Sequence, residues 1–400
     1  MYRSREVGIT ALGYTHPMHD RRIPRSHPAL LILGVALGAA LLSGAVLAAT
    51  SSRVPAVAGA EAAAASAPRV RAASGILVDR RTGRVLWSTS ADRRLAPASC
   101  TKIMTALLVL ERYRDLDRMV RAPAVVTDQQ KVAIGLRPGD RISVRQALRA
   151  VMTKSANDAC VTLATAVGGS ETGFVKLMNR RAAQLGLTRT RFVNSRGTPK
   201  PGHYSSARDL ARLGRYAMRD ARFRDLVGTK TRLITWPPSH AVSVTSHNRL
   251  LDYPWGDGIK SGSTEQSLRV LVGSGKPGLV PLIVVTMREP TRDQEEKDAL
   301  ALFTWGSALY ERRQIVAAGD VVRQMQVTGD APLAVVAGAG LTAIIRKAAV
   351  PTPVFDLPEE PLPARPVDGA VLGTVTYRSD GLVLGRVDLL AATPAGPAGQ

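Results

Sequence analysis

The chain predicts an α+β fold: an antiparallel sheet with flanking helices and a helical subdomain, then a small C-terminal all-β domain. Three observations carry this. The first ordered stretch, "SGILVDRRTGRVLWSTS", holds two β-rich runs around a turn and reads as a hairpin. Helical patterns then occupy residues 101–219, and strand patterns return at 267–273 and 281–287 before a last helical pattern at 293–312. Strands first, helices in the middle, then strands and a helix is the order of an antiparallel sheet backed by helices.

The elements follow in order. Residues 1–28 are a basic n-region carrying Arg3, Arg5, Arg21, Arg22 and Arg25, with Met18 as an alternative start. Residues 29–49, "ALLILGVALGAALLSGAVLAA", carry no charge. They form either a signal peptide, with small residues near Val46-Leu47-Ala48 for cleavage, or an N-terminal membrane anchor. In both cases residues beyond 50 lie outside the cytoplasm. The Ala/Ser/Pro-rich segment 50–70 reads as a flexible linker.

An ordered domain spans 71–313. Its hairpin turns at Arg81-Thr82-Gly83, and helices are expected at 101–113, 143–153, 158–168, 171–185 and 206–219. "TSHNRLLDYPWGDGIKSGST" marks a loop entering a strand. Residues 314–390 differ in kind, being Pro-rich around "VPTPVFDLPEEPLPARP" and closing with a hairpin about Asp380-Gly381. They read as a small β-rich domain, and 391–400 as a disordered tail.

Composition narrows the function. Hydrophobic residues make up 45% and aromatics only 4%, so the core rests on Ala, Val, Leu and Ile. Of the formal net charge of +22, residues 71–313 hold +20 and residues 314–400 hold −2. The arginines are scattered without interleaved aromatics, which suits solvated faces or an anionic wall polymer. Export argues against nucleic acid as a partner. The two cysteines, Cys100 and Cys160, make no C-x-x-C pair, and no His/Cys cluster has metal-ligand spacing, so no metal or cofactor is expected. The cysteines themselves are either bridged or two separate buried thiols.

Three short motifs stand in order in the ordered domain. Ser99 precedes Lys102 by three residues at the head of an apolar helical run; Ser155-Ala156-Asn157 lies between two helical patterns; Lys260-Ser261-Gly262 opens a strand. Alone, Ser99 would be an ordinary helix cap. Together, S-x-x-K, S-x-N and K-[ST]-G are the motif set of the penicillin-recognising serine acyltransferases. "GILVDRRTGRVLWSTSADRRLAPASCTKIMTALLVLE", "GLRPGDRISVRQALRAVMTKSANDAC", "GFVKLMNRRAAQLGLTRTRFVN" and "HYSSARDLARLGRYA" resemble the serine-type D-Ala-D-Ala carboxypeptidases, the low-molecular-weight penicillin-binding proteins. The resemblance covers roughly residues 73–310, and 314–390 looks like the β-rich C-terminal domain found on many of these enzymes.

The chemistry needs those residue types. Positions i and i+3 of a helix share a face, so Lys102 reaches the Ser99 hydroxyl. Serine is a weak nucleophile without an adjacent base, and lysine serves as one only when neutral, through burial or a nearby cation such as Lys260. The resemblance implies that Ser155 relays a proton to the leaving group and that Asn157 holds the substrate backbone and orients Lys102. It implies that Lys260 and Ser261 bind the terminal carboxylate, that Gly262 lets substrate lie against the strand, and that the N–H groups of Ser99 and Ser263 form the oxyanion hole. Lys-Ser-Gly departs from the usual Lys-Thr-Gly but keeps the hydroxyl, and Cys100 stands where a small polar residue is more common.

The implied activity is an exported serine D,D-carboxypeptidase acting on peptidoglycan stem peptides ending in D-Ala-D-Ala. β-Lactams would act as covalent inhibitors, and the cytoplasmic membrane is a partner if the apolar segment is uncleaved. A β-lactamase of the same fold and a catalytically weak envelope scaffold are the alternatives. Ser206-Ala-Arg-Asp209 reads as a capping box, and His203 either lines the cleft or is a structural loop histidine.

Overall fold

The computed structural model describes residues 66–129 and 132–392; the basic n-region, the apolar 29–49 segment and the last eight residues lie outside them. The opening hairpin forms as expected. Strands Ser74–Asp79 and Val85–Thr89 pair antiparallel, and Gly83, at φ +81°, closes the turn by donating its N–H to the Asp79 carbonyl at 2.7 Å. These two strands join three from the far end of the domain in one antiparallel five-stranded sheet. Its order is Val85–Thr89, Ser74–Asp79, Leu282–Glu289, Leu268–Gly275, Gly256–Thr264.

Both faces of this sheet are covered. Alternation along the strands sends Ile76, Val78, Val270, Val272, Ile283 and Val285 into the core shared with the helices. Leu77, Leu271, Leu282 and Val284 point the other way, against Ala299, Leu302 and Phe303 of the helix Arg292–Ala308. The helical side comprises Lys102–Arg112, Val144–Arg149, Asn157–Gly168, Glu171–Gln184, Ala207–Ala217 and Ala221–Val227. Ser143, Ser170 and Ser206 each cap a helix by accepting a backbone N–H. Asp209 does not complete a reciprocal box; its carboxylate instead accepts from the Arg189 N–H and the Thr190 hydroxyl, both at 2.7 Å.

Two expectations change. The helical pattern at 293–312 stops at Ala308, and Tyr310–Val316 is a strand paired with Leu341–Arg346. The burial of Tyr310–Val316 alternates, because its partner strand supplies a face that no helix could use. The expected helix 143–153 is α-helical only to Arg149, then widens into a π-helical turn over Ala150–Lys154. The hairpin Thr231–Trp236 with His240–Thr245 was not foreseen.

Residues beyond the Tyr310 strand form a second antiparallel five-stranded sheet. Its order is Val321–Met325, Leu333–Ala337, Leu382–Ala392, Val371–Ser379, Thr352–Asp356. It has its own small core around Met325, Leu333, Val335, Val375 and Leu389. Asp380 and Gly381, both at positive φ, make the hairpin turn read from the sequence.

Both cysteines are buried free thiols. Cys100 Sγ donates to the Lys260 and Val270 carbonyls, and Cys160 Sγ to the Ser195 carbonyl. Unfolded in denaturant without reductant, the protein is expected to show both Cys100 and Cys160 reactive to a thiol reagent, and neither when native. No reactive thiol after unfolding would reveal a bridge.

Candidate active site

A 3-10 turn, Ala98–Thr101, runs directly into the helix Lys102–Arg112. Ser99 does not cap that helix, whose N-cap is Thr101 without a side-chain cap bond. The Ser99 hydroxyl is left for Lys102, one turn on. Two glycines hold the turn in place. A Cβ on Gly197, at φ +86°, would lie 1.7 Å from the Ala98 carbonyl oxygen; one on Gly262 would lie 2.6 Å from the Ser99 nitrogen. Only glycine admits these approaches.

Lys102 is 1% exposed. Its Nζ donates to Ser99 Oγ at 3.2 Å, Asn157 Oδ1 at 2.9 Å and the Arg196 carbonyl at 2.7 Å. Burial pulls its pKa down to about 7, and the cations of Lys260 and Arg196 push the same way. A neutral amine has two N–H groups and one lone pair. Asn157 and Arg196 take the two N–H groups, which leaves the lone pair facing the Ser99 hydroxyl. That is the geometry of a general base and its nucleophile.

Asn157 is the first residue of the helix Asn157–Gly168, and its own N–H donates to the Val132 carbonyl at 2.7 Å. The neighbouring Asp158 carboxylate accepts the N–H groups of Ile134, Gly135 and Leu136, so this loop is pinned to the helix start. Just ahead, the π-helical turn ends at Ser155 in the left-handed region, φ +67°. Such a conformation costs a non-glycine residue of order 1 kcal/mol, and strain of this kind gathers at functional sites. Ser155 Oγ is buried and has no hydrogen-bond partner among the described residues.

Lys260, Ser261, Gly262 and Ser263 lie on Gly256–Thr264, the edge strand of the large sheet. One side of that strand pairs with Leu268–Gly275; the other is free to pair with an extended peptide. Lys260 is buried, and burial lowers its pKa to about 8; its Nζ donates to the Ser261 carbonyl at 2.7 Å. Ser263 is exposed, its Oγ accepting from Arg269 at 3.3 Å.

Hydrogen bonds thus join Ser99, Lys102 and Asn157 directly, while Gly262 joins them by contact with the Ser99 backbone. The sequence reading missed the loop 194–198, which supplies the third acceptor to Lys102. Asn194 Oδ1 accepts the N–H groups of Arg196, Gly197 and Thr198, and this turns the chain so that the Arg196 carbonyl faces the lysine. An Asn followed three residues later by Gly was the available signal, and it marks a turn without saying what the turn serves. His203 is structural. Val193 N–H donates to its Nδ1 at 3.0 Å, so Nε2 carries the proton shared with Thr101 Oγ1 at 2.9 Å. Burial takes its pKa down to about 4. Among the described residues no group of acidic, His and Cys side chains could hold a metal ion.

Comparison with known proteins agrees with this geometry. Residues 61–291 match the family model described as D-alanyl-D-alanine carboxypeptidase. The D-alanyl-D-alanine carboxypeptidase DacF of Bacillus subtilis is 32% identical over 262 residues, 64% of this chain and 67% of that protein. DacC of Escherichia coli, of the same name, is 34% identical over 61% of this chain and 63% of its own length, so the match leaves over a third of that relative uncovered. Penicillin binding protein 5 from Haemophilus influenzae superposes with a TM-score of 0.60 at 28% identity, over 82% of this chain and 98% of that one. The Streptomyces K15 DD-transpeptidase gives 0.58 at 29%, over 61% and 99%. With more than half of this chain matched by the family model, and a serine–lysine pair set as described, the chain belongs to the D-alanyl-D-alanine carboxypeptidase family and is a serine carboxypeptidase of that family.

Proposed function

We propose that the chain removes the terminal D-Ala from peptidoglycan stem pentapeptides in the cell envelope, through an acyl-enzyme on Ser99. The observation that carries the reading is the buried Lys102 amine, 3.2 Å from Ser99 Oγ with its other contacts on neutral acceptors. Ser99 Oγ attacks the penultimate D-Ala carbonyl while its proton passes to Lys102. The oxyanion that forms takes the N–H groups of Ser99 and Ser263, each such donor being worth about 3 kcal/mol. Ser155 relays that proton from Lys102 to the departing D-Ala nitrogen, and water then cleaves the ester. Asn157 holds the substrate backbone, and Lys260 and Ser261 take the terminal carboxylate of a peptide lying along Gly262. β-Lactams present a carbonyl and a carboxylate in one compact molecule and would acylate the same serine.

The catalytic unit is assigned to 71–313 and the β-rich unit to 314–390. Export through the 29–49 segment belongs to the same proposal; among the described residues no helix is long and apolar enough to cross a membrane.

Ser99→Ala is expected to abolish both D-Ala release from a peptide ending in D-Ala-D-Ala and covalent labelling by a fluorescent penicillin. Labelling retained in that variant removes Ser99 as nucleophile.

The pH dependence has a definite sign. Lys102 must be neutral, so kcat/KM rises with pH through about 7. Lys260 must be charged to hold a carboxylate, so for a free-acid peptide kcat/KM falls again above about 8. Amidating the peptide's terminus should remove the falling limb and leave the rising one. A falling limb unchanged by amidation would show that Lys260 does not act on the carboxylate.

Gly262→Ala places a Cβ 2.6 Å from the Ser99 nitrogen and 3.0 Å from Ala98 Cβ, against the proposed oxyanion donor. Acylation should fall by about 100-fold or more, the loss typical of one such donor, with the thermal midpoint lowered only modestly. An acylation rate within a few-fold of the parent would show that the strand relaxes freely there.

A further inference from the structure

The Arg196 carbonyl is a backbone group in a loop, yet it makes the shortest of the three contacts to Lys102. Something must hold it. Asn194 shapes the turn from within. From outside, the loop is anchored at Ser195, whose carbonyl accepts from Thr105 Oγ1 at 2.7 Å on the nucleophile's helix and from Cys160 Sγ at 3.2 Å on the Asn157 helix. One further side chain grips both Ser195 and Arg196. Glu171, the first residue of the helix Glu171–Gln184, accepts from Ser195 N–H at 3.1 Å and Ser195 Oγ at 2.7 Å with one carboxylate oxygen. Its other oxygen pairs with Arg196 Nη2 at 3.2 Å. The pair is partly buried, with side-chain exposures of 27% for Glu171 and 14% for Arg196.

We propose that Glu171 is a positioning residue for the acylation step: by clamping Ser195 and Arg196 it sets the Arg196 carbonyl against Lys102 and balances the Arg196 charge beside the base. It touches no substrate. The inference rests on Lys102 being the base for Ser99. Its physical content is twofold. Losing the clamp lets the carbonyl drift, so one N–H of the neutral amine loses its acceptor and the lone pair is no longer aimed at Ser99; small misplacements of a reacting group are costly in rate. Losing only one member of the ion pair also changes the net charge near the amine. The groups that face Lys102 are Cys160 from the Asn157 helix, Lys260 from the edge strand, Arg196 from the loop and Cys100 from its own turn. With the thiols uncharged near neutrality, Arg196 and Lys260 are the charges that matter, and Glu171 offsets the first.

The test is the second-order rate of acylation by a fluorescent penicillin, measured against pH on the full chain with Glu171→Gln and Arg196→Gln. Glu171→Gln keeps an acceptor for Ser195 but loses the negative charge, so more of the Arg196 charge acts on Lys102 and the rising limb should move to lower pH by about half a unit. Its plateau rate should fall by about ten-fold. Arg196→Gln removes the cation, so its limb should move to higher pH. Opposite shifts from the two halves of one ion pair cannot come from general loosening, which would lower the plateau without moving the limb. Glu171→Ala, with a thermal melt to show that it folds, should lose more rate than Glu171→Gln. Both limbs unmoved, or plateaus within two-fold of the parent, would overturn the proposal. A parent protein that fails to be acylated, or is acylated with no limb near pH 7, would instead overturn the assignment of Lys102.

Discussion

Almost everything at the site depends on keeping a lysine amine buried without a carboxylate beside it. Taking an ammonium out of water is expensive, and proteins usually repay that with an opposite charge. A carboxylate here would stabilise the charged form and rule Lys102 out as the proposed base. The structure surrounds it instead with neutral oxygens: a hydroxyl, a side-chain amide and a backbone carbonyl. These hold the amine in place while leaving its pKa low. Three neutral acceptors around one nitrogen cannot come from a single helix. The chain therefore brings together the 3-10 turn, the start of the Asn157 helix and the 194–198 loop.

That requirement explains the irregular features around it. The helix leading to Ser155 unwinds into a wider π-helical turn, and the serine takes a left-handed conformation that a regular helix would not supply. Gly197 and Gly262 press backbone against backbone where any side chain would force the Ser99 turn away. Cys100 is small and apolar enough to sit behind Ser99, its thiol spent on two strand carbonyls. Such strain persists because the sheet beneath is packed on both faces, and a shift of the Ser99 turn would have to disturb one of them.

The β-rich region is tied to the same sheet by polar contacts. Tyr310, heading the strand that leads into it, donates to Asp79 Oδ2 at 2.7 Å. Asp380, in the turn of the last hairpin, accepts from Arg84 at 2.7 Å and from Arg346 at 2.7 Å and 3.0 Å. The Arg346 contact first, with burial opposing it, holds the Asp380 carboxyl below the usual range. One turn thus clasps an arginine from the first hairpin and one from the second region.

Much of this was legible in the amino-acid sequence. Ser99 and Lys102, Ser155 and Asn157, and Lys260 with its following glycine are side-chain chemistry at helix and strand spacings, and both read-out periods are local properties of the chain. The two hairpins and the five main helices were legible for the same reason. The end of the last helix was not, because Tyr310–Val316 becomes a strand only when Leu341–Arg346 lies beside it. Nor was the third partner of Lys102, since a carbonyl is present at every residue and only the fold selects the one at Arg196. The sequence reading assigned Glu171 no role, and it left the cysteines as either bridged or two separate thiols. The sequence by itself determined which functional groups exist and how they are spaced along each element. The tertiary structure decided which of them meet, because a hydrogen bond across 55 or 94 residues depends on where distant elements pack and leaves no local period to read.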